Sequence, residues 1–177
     1  MVILYAWLLA DFLSGLFHYL EDRVFKYPSF SRALDSIILD NEVHHKNPVA
    51  MLKYTESENI NGSVVFAWPL ALILFLLGAP TILWLAVFFA SFANLVHRFA
   101  HTPFKQLNFF IKFMQCTGLF ITARHHNKHH YKVRGLVDRK SASVRFCVMT
   151  NWLNPLLDTV QFFKFLDYLF LGRKTNA

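Results

Sequence analysis

Residues 62–101 read GSVVFAWPLALILFLLGAPTILWLAVFFASFANLVHRFAH. This stretch contains two apolar segments, 62–77 and 81–101, and the Gly-Ala-Pro at 78–80 between them permits a tight reversal because glycine and proline break helices. Apolar segments of this kind are typical of helices that cross a membrane. The stretch therefore predicts a transmembrane helical hairpin.

A third apolar run occupies residues 2–20 and is interrupted by Asp11, Ser14 and His18. A signal peptide would carry a basic region before its apolar core and a small-residue cleavage site after it. Here no Lys or Arg precedes the run, and the charged residues 21–23 follow it. We therefore expect the run to be retained as the first transmembrane helix.

The composition argues against an ordinary soluble monomer. Of the 177 residues, 55% are hydrophobic, and the mean hydropathy is +0.33. No internal repeat of solenoid length is visible, so the sequence predicts a single membrane-embedded domain over residues 1–177.

The charge is positive and unevenly distributed: the net charge is +7, and 13 of the 18 Lys and Arg residues follow residue 97. The apolar runs between these charges favour an anionic lipid surface or an acidic protein partner, and they argue against nucleic acid. By the positive-inside rule, the loop at 21–61 and the tail after residue 97 face the cytoplasm. The turn at 78–80 faces the opposite side.

Two further apolar segments contain charged and amide residues. Segment 107–123 is predicted either to lie in the membrane interface or to form a short fourth span. Segment 156–171 is predicted to be an interfacial helix that Asn154 caps and Pro155 begins. The expected fold class is an all-α integral membrane protein with three to four transmembrane helices, interfacial helices and a histidine-rich cytoplasmic cap.

The nine histidines fall in four places along the chain. They are His18, His44, His45, His97, His101, His125, His126, His129 and His130. With the topology above, all nine can converge on the cytoplasmic face. That topology follows from Lys and Arg alone, so the agreement is a partly independent check on it.

The spacing of the histidines favours metal binding. Residues four apart project from the same side of a helix, as His97 and His101 do, and the motif HHNKHH at 125–130 contains this spacing twice. A single zinc ion would need four ligands or fewer, so eight or nine histidines indicate two metals. Imidazole suits iron, zinc, copper and nickel, and the ligand type alone does not identify the metal.

Two soluble-type metal sites do not fit the residues. The zincin motif HExxH is absent, and only residues 42–45 provide the Glu-x-x-His of which a ferritin-like bundle needs two. An all-histidine dinuclear site at a membrane surface remains. With iron, such a site can activate O2 for attack on an unactivated lipid C–H bond. The alternative from another functional class is a non-enzymatic membrane protein, a transporter or sensor that binds transition metals through the same histidines.

Five motifs, in order, resemble those of the Kua family, the lipid desaturase domain family. They are ADFLSGLFHYLEDR at 10–23, EVHHKNP at 42–48, HRFAH at 97–101, the stretch from MQCTGLF to HHNKHH at 114–130, and TNWLNPLLD at 150–158. The resemblance covers nearly the whole chain. It implies a di-iron centre with all nine histidines as ligand candidates, and O2 with two electrons from a cytochrome b5 or ferredoxin-type donor.

The resemblance also implies a lipid substrate. The expected reaction converts plasmanylethanolamine, an alkyl ether lipid, to plasmenylethanolamine, a vinyl ether lipid or plasmalogen. Desaturation of a fatty acyl chain bound to a glycerolipid is the second expectation.

Asp11 and Asn94 are expected to support the helices beneath the metals. Each begins a polar stripe that rises to a histidine at the inner end of its helix, and the two helices run in the same direction. A hydrogen bond between the two side chains would reduce the cost of placing a carboxylate in hydrocarbon.

Four more residues are candidates for supporting roles. The carboxylates of Asp22 and Glu42 are expected to orient ligating imidazoles through their second ring nitrogen. Trp152 and Asn154 are candidates for bordering the path of the acyl chain, although a simple aromatic anchor is an alternative for the tryptophan.

Residues 124–145 carry seven Lys or Arg against one Asp. This basic segment is expected to dock an acidic electron carrier or to hold a lipid phosphate. The short N-terminus without an Arg- and Ser-rich presequence argues against import into plastids or mitochondria. The expected location is a bacterial inner membrane in preference to the endoplasmic reticulum.

Overall fold

The computed structural model describes residues 1–133 and 145–172, and for residues 131–133 it describes the backbone alone. Every regular element in those two ranges is helical, which confirms the predicted all-α class. The α-helices are α1 (Val2–Tyr19), α2 (Arg32–Lys46), α3 (Glu56–Leu76), α4 (Thr81–Ala90), α5 (Ala93–His101), α6 (Phe109–Cys116), α7 (Ala123–Val133), α8 (Leu153–Thr159) and α9 (Phe162–Leu171).

Within the described ranges, two helical stretches are long and apolar enough to cross a membrane, namely α1 with its continuation to Val24, and α3. The bent pair α4–α5 makes a third if both helices belong to one crossing. Most apolar side chains of α3 lie on the protein surface, as expected of a helix that faces lipid. These elements correspond to the three apolar runs of the sequence.

The third candidate span is bent by 44°, a break that the apolar pattern of 81–101 does not indicate. The break lies at Ser91 and Phe92, between α4 and α5. The Ser91 hydroxyl donates to the Phe88 carbonyl at 2.6 Å and accepts from Trp68 Nε1 at 3.2 Å. A hydroxyl bonded to a carbonyl of the preceding turn competes with the helical ladder and bends the helix. The bend directs α5, which carries two histidines, against α1 and α7.

The predicted option of a fourth span at 107–123 is wrong. The helix in this segment, α6, has eight residues and is about 12 Å long, whereas a hydrocarbon core is about 30 Å thick. Asn108 caps its start by accepting from Ile111 N at 2.9 Å, and Gly118 follows its end with φ +78°. An interfacial position for α6 stays a prediction.

The single helix predicted over 156–171 is two helices, because Gln161 adopts a left-handed conformation with φ 53° and separates α8 from α9. The predicted cap is also wrong, since α8 begins at Leu153. Asn154 instead holds the backbone of Cys147. Its Oδ1 accepts from Cys147 N at 3.0 Å and its Nδ2 donates to Cys147 O at 2.7 Å.

The expected hydrogen bond between Asp11 and Asn94 is wrong. Asp11 Oδ1 accepts from Met149 N at 2.8 Å and Oδ2 accepts from Thr150 Oγ1 at 2.6 Å. Asn94 Nδ2 donates to Ser63 Oγ at 3.4 Å. Residues 146–150 form a buried, non-helical segment that packs against α1, and its polar groups satisfy the carboxylate.

Gly15 allows the segment 146–150 to approach α1 closely. A Cβ atom at this position would lie 2.5 Å from Cys147 Sγ and 3.0 Å from Cys147 N. The substitution Gly15→Ala is therefore expected to lower the free energy of unfolding by about 1–3 kcal/mol, as overpacking of a buried contact does. Thermal unfolding in detergent would measure the change.

Gly62 is the matched control for Gly15, because it also lies in a helix that can span the membrane and a Cβ there would meet nothing within 4 Å. Gly62→Ala is expected to leave stability unchanged or to raise it by up to about 1 kcal/mol. Equal losses from the two substitutions would contradict the role given to Gly15.

Candidate metal centre

Eight of the nine histidines lie together at one end of the helices. They are His18, His44, His45, His97, His101, His126, His129 and His130. Because α1 and α4–α5 run in the same direction, the end of α1 meets α5, and the ring centroids of His18 and His97 are 5.7 Å apart. The last turn of α2 supplies two more histidines, and α7 supplies three.

The first cluster, which we call the five-histidine group, contains His44, His97, His101, His126 and His130. Nε2 of His126 lies 2.7 Å from Nε2 of His97 and 2.9 Å from Nε2 of His130. Nε2 of His97 lies 3.2 Å from Nε2 of His101. Helices α5 and α7 thus each contribute a pair with the spacing of one helical turn.

The second cluster, which we call the histidine–aspartate group, contains His18, Asp22, His45 and His129. The Nε2 atoms of His18 and His129 are 3.0 Å apart. Asp22 Oδ1 lies 2.9 Å from His45 Nε2, and Asp22 Oδ2 lies 3.3 Å from His129 Nε2. The aspartate belongs to a wide π-helical turn, Leu20–Val24, that continues α1. The structure therefore places this carboxylate among the imidazole nitrogens.

The donor atoms fit metal ions. Two nitrogens bound to one metal at about 2.1 Å and at right angles are about 3 Å apart, which matches the close Nε2 pairs described above. One proton can join only two nitrogens, whereas Nε2 of His126 faces two others at short distance. Both ring nitrogens of buried His44 lack a hydrogen-bond partner among the described residues. One metal ion in each group would accept one nitrogen lone pair from each of its imidazoles.

Burial keeps three of the site's histidines, His44 of α2 and His126 and His129 of α7, in the neutral form that binds metals. Burial and, to a smaller extent, the neighbouring His101 lower the pKa of His44 to about 2. Burial lowers the pKa of His129 to about 3, although contact with Asp22 opposes the shift. The pKa of His126 is also held well below its ordinary value by burial. At neutral pH these imidazoles can bind a metal without first losing a proton.

The structure does not bring His125 into either group. Residues 126, 129 and 130 form one stripe of α7 that faces the site, and residue 125 lies beyond one edge of that stripe, about 90° from its centre around the helix. The His125 side chain is half-buried, and its pKa is lowered to about 4 by burial and by the charges of Arg145 and Lys128. The interpretation of HHNKHH as two equivalent pairs therefore does not describe this helix.

The other predicted supporting residues belong to neither group among the described residues. Glu42 is exposed and pairs with Lys46, with 3.4 Å between Oε2 and Nζ. Trp152 is partly exposed and packs its indole N–H against Gly118, where a Cβ atom would come within 2.5 Å of Nε1. Asn94 and Asn154 make the hydrogen bonds described for the fold.

Sequence reasoning missed Asn41. Its Nδ2 donates to Asp22 Oδ1 at 2.6 Å. The available signal was its position on α2, four residues before His45 and therefore on the same face. Glu21, adjacent to Asp22, places Oε2 3.4 Å from His18 Nδ1, which is an arrangement that orients a ligating imidazole.

The predicted basic segment at 124–145 is described only in part, since the side chain of Lys132 and all of residues 134–144 lie outside the described residues. Arg145 Nε donates to Asp158 Oδ2 at 3.0 Å, so the charge of Arg145 is used in an ion pair within the protein. Arg124 and Lys128 are exposed on α7.

The helices and the two groups define a membrane protein with a histidine-rich site that can hold metal ions. Residues 7–175 match the lipid desaturase domain, and the chain belongs to this family. The resemblance drawn from the five motifs is therefore confirmed. At the level of the family, the predicted enzyme class, a lipid desaturase and thus an oxidoreductase, is confirmed as well.

Three relatives share this domain. The chain is similar to a probable fatty acid desaturase of Acanthamoeba polyphaga mimivirus, with 24% identity over 99% of this chain and 85% of the relative. It is similar to the chloroplastic fatty acid desaturase 4-like 2 of Arabidopsis thaliana, with 28% identity over 97% of this chain and 60% of the relative. It is also similar to plasmanylethanolamine desaturase 1 of Mus musculus, with 27% identity over 93% of this chain and 62% of the relative.

The chain thus spans less than two thirds of the plant and mouse relatives. No solved structure matches it significantly.

Proposed function

We propose that this chain is a di-iron desaturase that uses O2 and two electrons to introduce a double bond into a membrane lipid. The preferred substrate is plasmanylethanolamine, which would become the vinyl ether lipid plasmenylethanolamine. The observation that carries the proposal is the pair of metal-binding groups, built from eight histidines at one end of apolar helices, in a chain of the lipid desaturase family.

Iron in the two groups would supply the activation of O2 that removal of hydrogen from an unactivated C–H bond requires. In the overall reaction a –CH2–CH2– unit loses two hydrogen atoms. Together with two electrons from a donor and two protons, these reduce O2 to two molecules of water. The donor is proposed to be of the cytochrome b5 or ferredoxin type.

The chain's own residues would hold the metal ions and exclude water from the site. His126 and His129 are almost completely buried, and so is Phe146. The Phe146 ring lies 5.4 Å from the ring of His129 and 6.3 Å from that of His18, which covers one side of the histidine–aspartate group. Exclusion of water at this point protects a reactive oxidant from side reactions.

The runner-up is desaturation of a fatty acyl chain. It is favoured by the names of the viral and plant relatives, whereas the mouse relative favours the ether lipid, and the identities of 24% to 28% do not separate the two. Family membership favours either enzyme over a transporter or sensor of metals.

The orientation and location belong to the same proposal. The loop at 21–61 and the tail after residue 97 carry all the Lys and Arg residues, and by the positive-inside rule this supports a cytoplasmic position for the histidine end. A bacterial inner membrane is preferred over the endoplasmic reticulum.

The test is a lipid profile by mass spectrometry. A plasmalogen-free host supplied with an alkylglycerol would express the wild type or His126→Ala, each together with an electron donor and its reductase. Vinyl ether lipids found only with the wild type support the proposal. New acyl double bonds found only with the wild type support the runner-up. An unchanged profile with iron-loaded wild type would reject both.

A further inference from the structure

The two groups differ in charge, because the second contains a carboxylate. We propose that Asp22 binds the second metal ion through Oδ2, that Asn41 is the positioning residue that holds this carboxylate, and that the two metal positions are therefore chemically inequivalent. The inference rests on the metal binding of the proposed function and departs from the all-histidine site that the sequence predicts.

Oδ2 of Asp22 faces the imidazole nitrogens of the histidine–aspartate group and makes no hydrogen bond among the described residues. The side chain is only 4% exposed, and Oδ2 is buried and has no hydrogen-bond partner among the described residues. It lies 3.3 Å from His129 Nε2 and 3.8 Å from His18 Nε2. A buried carboxylate oxygen without a partner is costly, and a cation shared with these nitrogens would remove that cost.

Oδ1 of Asp22 contacts two residues of α2. Asp22 Oδ1 accepts from Asn41 Nδ2 at 2.6 Å and lies 2.9 Å from His45 Nε2. If His45 Nε2 binds a metal, it carries no proton and cannot donate to the carboxylate. Asn41 then remains as the donor that fixes Oδ1 and leaves Oδ2 for the metal.

A carboxylate changes the chemistry of its metal position. The five-histidine group offers neutral donors only, whereas the histidine–aspartate group adds one negative charge. An ion in the second position is therefore held by charge as well as by lone pairs, and a hard oxygen donor favours the more highly charged state of a metal. The two ions should differ in affinity and in spectroscopic signature.

The experiment loads purified full-length protein with 57Fe under anaerobic conditions, counts iron per chain and records Mössbauer spectra. The wild type is expected to hold two irons that give two quadrupole doublets of equal area. Asp22→Ala and the isosteric Asp22→Asn are expected to lose one doublet and about one iron while the other doublet is unchanged. Asn41→Ala is expected to weaken the second iron about 10- to 100-fold, as loss of an outer partner does, and to shift the same doublet.

The matched control is Asp40→Ala, which removes an exposed carboxylate from α2 next to Asn41 and is expected to change neither doublet. If Asp22→Asn keeps both irons and both doublets, Asp22 is not a ligand and the inference is overturned. The same holds if both doublets change equally, since a purely structural role would disturb both positions. A wild type that binds no stoichiometric iron rejects the proposed function itself, independently of any variant.

Discussion

The substitution His126→Ala is expected to reduce formation of the desaturated lipid to background, a loss of at least about 100-fold, because even outer partners of metal ligands contribute 10- to 100-fold. Nε2 of His126 lies within 3 Å of the Nε2 atoms of His97 and His130. Loss of the His126 side chain therefore removes the central nitrogen donor of the five-histidine group. Bound iron should fall to about one per chain or less. Elemental analysis of the purified protein and the lipid profile of the host would measure both effects.

The neighbouring histidine is the control. His125→Ala changes the same residue type one position earlier on α7, outside both groups. It is expected to retain its iron and its activity. If both substitutions reduce bound iron and activity equally, α7 tolerates no change in this motif. The assignment of separate roles to His125 and His126 would then be wrong.

The substitution Asp11→Ala is expected to lower the free energy of unfolding by about 2–6 kcal/mol, because it leaves two buried donors without a partner at about 1–3 kcal/mol each. Those donors are Met149 N and the hydroxyl of Thr150. Asp11→Asn keeps one acceptor and should lose less. Unfolding of the metal-free protein in detergent, followed by circular dichroism, would measure the change without contributions from iron.

Asn94→Ala is the control for this prediction, because Asn94 is exposed and its side chain donates only a long hydrogen bond to Ser63. Its replacement is expected to change stability by less than about 0.5 kcal/mol, the usual effect at a surface position. A loss as large as that of Asp11→Ala would instead support the direct pairing that the sequence suggests.

The spans could be predicted because length and apolar composition alone determine which helices can cross a bilayer. Their irregularities could not. The bend at Ser91 depends on a hydroxyl that also accepts from Trp68 on another helix. The division of 156–171 depends on the left-handed conformation of Gln161, a residue whose type does not favour it.

The histidines could be identified from their spacing, since helical periodicity brings residues four apart to the same side. Which stripe of α7 faces the site is set by packing, and for that reason His125 could not be separated from His126. The contact between Asn41 and Asp22 joins α2 to the π-helical turn that continues α1, and no local sequence pattern predicts it. Likewise, the partners of Asp11 follow it by 138 residues or more.

Helix α7 supplies histidines to both groups, and this has a consequence for how the protein is made. The pair formed by His18 and His129 is separated by 111 residues, so neither group is complete until the ribosome has released α7. The helices that can cross a membrane, α1, α3 and the pair α4–α5, are therefore synthesised before either metal position exists. Iron loading becomes a late step of biogenesis, and a nascent chain arrested before residue 126 would contain these helices yet be unable to assemble either metal position.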